Sequence, residues 1–169
     1  MVKSTKTISL AFTLIVMLVP TGLAAFGQSG EKDESERLIQ ATKFLEQEPF
    51  DKKAKDIRSW AITWVIQTDK VTVTACPILI SGLEEKYKYH SELFGQYTLG
   101  MAVFKLTNAD KAGDEAAVQL AGVESAMNSY ESMVKEKPKA KNAFMDELLT
   151  KRTAGSLASY VAEKCPQKK

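Results

Sequence analysis

AMNSYESMVKEKP, residues 126–138, decides how the rest of the chain reads. Ala126, Tyr130 and Met133 recur at the spacing of one helix face, and Pro138 follows five residues later. Proline cannot continue a helix, and it pushes the residue before it out of helical geometry. The same rhythm runs back through Ala117, Leu120, Ala121 and Met127, with Val134 beyond. It predicts one long helix from about residue 114 to residue 137. The polar stretch TNADKAGDE, residues 107–115, reads as the loop before it.

On the N-terminal side, SELFGQYTLGMAVFKL, residues 91–106, predicts a strong helix with a serine start. Gly95 and Gly100 inside it cost about 1 kcal/mol each relative to alanine. Close approach of another helix is the expected compensation. Residues 69–75, DKVTVTA, alternate apolar and polar, the period of an extended segment. No clear partner strand exists, so they read as a connector. Pro77 suits the first turn of a short helix ending near Gly82.

Leu38, Ile39, Ala41, Thr42 and Leu45 predict a first helix over about residues 35–48, stopped by Pro49. Asp51 is placed to cap a second, reaching about Gln67. Ala54, Ile57, Ala61, Trp64 and Val65 form its buried face, with Trp60 a turn from Ile57 and Trp64. Two shorter helices, over about 141–151 and 155–164, close the domain. Some seven helical segments with short connections predict an all-α class of antiparallel helical hairpins.

The chain resembles tetratricopeptide-type helical repeats. Leu99–Gly100 looks like the Leu-Gly pair of a repeat's first helix, with Val103 and Phe104 beyond it. Ala126, Tyr130, Met133 and Pro138 match the spacing of the second helix. Ala41, Phe44 and Pro49 give a poorer echo. The linker between the helices is longer than a repeat of roughly 34 residues allows, and the usual first tryptophan is absent. The resemblance implies stacked hairpins, an α-α superhelix or a bundle, with a concave surface for a peptide or protein segment. Separately, Pro49 and Pro138, Ala54 and Ala143, Cys76 and Cys165, and Pro77 and Pro166 share one offset. Few other positions do.

The N-terminus reads as an address. Lys3 and Lys6 precede an apolar run from Ile8 to Val19, which Pro20 and Gly22 break before the small residues of TGLAAFG. That is the three-part pattern of a secretory signal peptide. The run is about a dozen residues, whereas a spanning helix needs roughly 20. We therefore expect a cleaved signal peptide over residues 1–27, a polar flexible leader over 28–34 and one domain over 35–169. The mature protein would be secreted or periplasmic, with no stable membrane span. Removing Lys3 and Lys6 from 23 basic residues leaves 21, against 21 acidic ones. With no basic excess, nucleic acid is not an expected partner.

Two cysteines in an exported chain predict a Cys76–Cys165 disulfide. The alternative is a reactive Cys76 thiol at a helix start, with or without His90 as its base. No CxxC motif supports redox catalysis. One histidine and two cysteines fall short of the four ligands of structural zinc. Asn108, Asp110 and Gly113 fall at positions one, three and six of a calcium loop, but Ala112 and Gln119 stand where ligands are needed. Glu84–Glu85 and Asp146–Glu147 read as solvated faces. No catalytic motif or cofactor is expected, and the chain reads as non-enzymatic. Tyr87, Tyr89, Phe94 and Tyr97 are the candidates for contact with a protein or peptide partner. The alternative is a secreted inhibitor or immunity-type protein that blocks an enzyme.

Overall fold

The computed structural model describes residues 28–166, with side chains from Glu34 onward. The expected signal peptide lies outside the described residues. Six α-helices follow in order: α1 (Gln28–Gln47), α2 (Ala54–Gln67), α3 (His90–Thr107), α4 (Glu115–Glu136), α5 (Ala143–Thr153) and α6 (Leu157–Lys164). Short 3-10 turns sit at Pro77–Leu79, Ala109–Lys111 and Pro138–Ala140. No strand occurs among the described residues, and the chain is all-α.

The α4 helix meets its expected bounds because both ends carry stop signals. Asp114 Oδ1 accepts the Ala117 amide at 3.1 Å, and Pro138 closes the far end. Three other expectations change. Residues 28–34 are the first turns of α1, not a separate leader. Asp51 accepts the Lys53 amide at 2.7 Å and so shapes the turn before α2; the helix itself begins at Ala54 with no side-chain cap. Pro77 opens only a three-residue 3-10 turn.

Apolar residues surround α3 on more than one side, so it is buried between two cores. Leu93, Tyr97 and Met101 join Leu79, Met127, Tyr130 and Met133 in the first, which α4, α5 and α6 enclose. Leu99 and Ala102 join Leu38, Leu45, Ala61 and Trp64 in the second, beneath α1 and α2. The α3–α4 pair is the most extensive helix contact. Gly100 and Gly122 let the two backbones meet there. Gly95 instead faces the side chains of Arg58 and Ile62 at ordinary contact distance.

A polar seam crosses this packing. Gln96, fully buried, donates to the Thr42 carbonyl at 3.1 Å and to Ser125 Oγ at 2.9 Å. Ser125 donates to Glu46, and Ser129 to the Leu45 carbonyl at 3.3 Å. One buried side chain therefore ties α1, α3 and α4 into register.

Cys76 and Cys165 form a disulfide, with Cα atoms 6.3 Å apart. It fastens the end of α6 to the segment that leads into the Pro77 turn. The shared sequence offset also has a structural counterpart. Gln47 and Glu136 end α1 and α4, and Ala54 and Ala143 begin α2 and α5, each pair 89 positions apart. The two connections thus match in length and in proline position. They also touch: Lys137 Nζ lies 3.5 Å over the Phe50 ring.

Candidate functional site

α2 leaves its helix at Thr68, and the chain crosses in extended form to the Pro77 turn before α3 begins at His90. This route opens a groove of 610 Å³ with three walls. From α2 come Arg58, Ile62, Val65 and Ile66. From α3 come Phe94, Thr98 and Met101, a stripe at helical spacing. The extended residues 71–75 make the third wall, through Val71, Thr72, Val73 and Ala75. Ile66 is 77% exposed and Phe94 37%, high values for such side chains.

The third wall has an unusual backbone. Among the described residues, the amides of residues 71–75 have no hydrogen-bond acceptor. The Thr74 carbonyl accepts from Gln119 Nε2 at 2.7 Å; the carbonyls of Val71, Thr72 and Val73 have no donor. The segment is nevertheless held at its end. The Cys76 amide donates to Tyr97 Oη at 3.0 Å, and Tyr97 donates in turn to Gln119. Thr72 is exposed beside this run, so an edge of free main-chain groups borders an apolar groove.

The groove carries one permanent charge. Arg58 makes a single hydrogen bond, from Nη2 to the Pro49 carbonyl at 3.4 Å, and its Nε is buried with no partner. Burial lowers the pKa of Arg58, and Glu92 opposes that shift. No carboxylate lines the groove. His90 also lines it, its ring parallel to Phe94 with centroids 6.2 Å apart.

The four aromatic candidates separate. Phe94 lines the groove. Tyr97 is 0% exposed and belongs to the core, so it cannot touch a partner; its hydroxyl supports the third wall instead. Burial pushes its pKa up. Tyr87 and Tyr89 lie elsewhere, on a lysine-rich cleft with Lys88, Lys137 and Lys141. Tyr87 donates to the Ala140 carbonyl at 2.5 Å, and burial pushes its pKa up to about 12. Tyr89 packs against Phe50 and Tyr87 at 5.0 and 5.8 Å. The sequence reading missed Arg58, Ile62 and Ile66. Ile66 offered a signal, being apolar yet outside the buried set read for α2.

The other candidates for chemistry resolve into structure. The disulfide occupies both cysteines, which removes the thiol–histidine alternative. Asn108 donates to the Phe104 carbonyl at 3.0 Å, and Asp114 caps α4. Asp146 accepts from Tyr130 Oη at 2.6 Å, while Glu147 pairs with Lys151 and Glu84 with Lys86. Among the described residues, no group of three or more His, Cys, Asp or Glu is placed to hold a metal. No described helix is long and apolar enough to cross a membrane. No protein-family model matches the chain, and no curated protein or solved structure matches it either.

Proposed function

We propose that this chain is an exported, non-enzymatic binding protein that holds an extended segment of a partner peptide or protein in the α2–α3 groove. One observation carries the reading: the amides of residues 71–75 and the carbonyls of Val71, Thr72 and Val73, unpaired among the described residues, border a largely apolar groove. An extended peptide can add to such an edge as a strand. Main-chain hydrogen bonds then supply affinity, and alternate side chains enter the groove. At about 3.3 Å per residue, the edge suits a partner stretch of roughly five residues. Cys76 and Gln119 hold the edge in place beforehand, which reduces the ordering cost of binding. The signal-like leader and the disulfide support an exported setting. The resemblance to tetratricopeptide-type hairpins points the same way, towards peptide capture.

The test uses the full chain, made through a secretory pathway so that the disulfide forms. It is screened against random heptapeptides displayed at the C-terminus of a carrier. Selected peptides should slow amide exchange at residues 71–75 and lose affinity for Phe94→Asp and Ile66→Asp variants. Selected peptides that leave both the amides and these variants unaffected would refute the groove as the site, as would a screen that selects none.

A further inference from the structure

We infer that the groove receives the C-terminal end of its peptide, with the terminal carboxylate paired to Arg58 and an apolar side chain between Ile62, Ile66 and Phe94. The inference rests on the peptide-binding reading above and adds the class of ligand.

Charge complementarity carries it. Among the described residues, the lining is largely apolar: Arg58 is its one permanent charge, His90 and the hydroxyls of Thr68, Thr72, Ser91 and Thr98 are its other polar groups, and it has no carboxylate. Glu92 is the acidic group that acts on Arg58, and it lies outside the groove, in a neighbouring cleft that Arg58 and Asp51 also line. A guanidinium offers five N–H donors in a planar fork. Here one of them makes a long bond to Pro49, and Nε is sealed from water with nothing to accept from it. A half-buried, under-satisfied cation favours an anion that arrives with the ligand, and a carboxylate fits the fork in bidentate fashion. Tyr89 precedes α3 without capping it through its side chain, so the positive end of that helix adds potential of the same sign near Ser91.

The anion should be the chain terminus rather than an acidic side chain. A terminal carboxylate sits on the backbone line, where a strand paired to residues 71–75 already runs. A side-chain carboxylate on a residue facing the groove would displace apolar contact with Ile62, Ile66 and Phe94. A mid-chain peptide would leave Arg58 as unsatisfied as it is now. The ligand class is therefore an extended peptide whose last residues are apolar and whose C-terminus is free.

The experiment compares one selected peptide in two forms, the free acid and the C-terminal amide. Binding is measured to the oxidised full chain and to its Arg58→Gln and Arg58→Lys variants. Amidation should weaken binding about 10- to 100-fold, the range of a charge-assisted hydrogen bond. Arg58→Gln should weaken the acid by a similar factor and leave the amide unchanged, and Arg58→Lys should fall between. Circular dichroism checks that each variant remains folded. Equal binding of acid and amide, with residues 71–75 still protected, would overturn the terminal anchor and leave the strand-addition reading standing. Loss of that protection for both forms would overturn both readings. Palmitate is the third probe: binding that requires Arg58, with no peptide bound, would replace the peptide by a fatty acid and overturn the inference.

Discussion

Gly100 on α3 and Gly122 on α4 meet where the two helices cross. A Cβ on Gly100 would lie 2.5 Å from Ser125 Cβ, 2.9 Å from the Ala121 carbonyl oxygen and 3.1 Å from Gly122 Cα. A Cβ on Gly122 would lie 2.7 Å from Met101 Cγ and 2.8 Å from the Tyr97 carbonyl oxygen. In both cases backbone has to move. Alanine at either position gains about 1 kcal/mol of helix propensity, yet the overpacking should outweigh it. We predict a net loss of about 1–3 kcal/mol for Gly100→Ala and for Gly122→Ala, measured by urea unfolding. A stabilised variant would show that the crossing is looser than these distances imply.

Two other glycines should respond in opposite directions. Gly155 follows α5 with φ +71°; its amide bonds to the Arg152 carbonyl, and the Ser156 amide bonds to that of Lys151. This left-handed helix ending favours glycine. Gly155→Ala should cost about 1 kcal/mol. A methyl group on Gly113 would meet no atom within 4 Å, and the backbone there does not have positive φ. Gly113→Ala should raise stability by about 0.4–1 kcal/mol, because the unfolded chain loses freedom. Thermal melts of the two variants should shift to opposite sides of the parent.

The disulfide spans 89 positions, so it restrains the unfolded chain strongly. Replacing both cysteines by serine should cost about 2–4 kcal/mol and lower the Tm by about 10 °C. Alkylation of the unreduced protein should add no mass. Two added alkyl groups would mean that the pair is not formed.

Alkaline stability tests the buried phenols. Burial pushes the pKa of Tyr87 to about 12, and burial together with Asp146 also raises that of Tyr130. Each raised folded pKa means that the folded state keeps its proton after the unfolded chain has lost it. The stabilising contribution is full below the unfolded phenol pKa of about 10 and declines as pH rises from there towards 12. Tyr87→Phe should make this decline shallower. Tyr130→Phe should do the same and also lower stability at neutral pH by about 1–3 kcal/mol. It removes the bond to Asp146 at 2.6 Å and the acceptor for the Asn142 amide at 2.8 Å.

The helices were legible wherever punctuation and periodicity agreed. Residues 114–137 were bounded by Asp114 and Pro138, and the apolar face between them is buried around Met127 and Tyr130. Residues 28–34 were not legible, because QSGEKDE has no apolar rhythm to mark helical turns. Part of what holds that end is tertiary: Glu34 accepts from Trp64 Nε1 at 2.9 Å. Tyr97 misled because helical spacing places it near Phe94 at 6.5 Å, yet α3 turns the two to different surroundings. The groove itself could not be read from one segment. Its walls come from α2, α3 and residues 71–75, and the unpartnered state of Arg58 Nε exists only once they are assembled.

Because α3 belongs to both cores, neither half has a boundary along which it could melt alone. Losing Leu93 and Tyr97 from one side would also withdraw Leu99 and Ala102 from the other. Unfolding should therefore be a single all-or-none event, with calorimetric and van't Hoff enthalpies in agreement, despite two separate clusters of buried side chains.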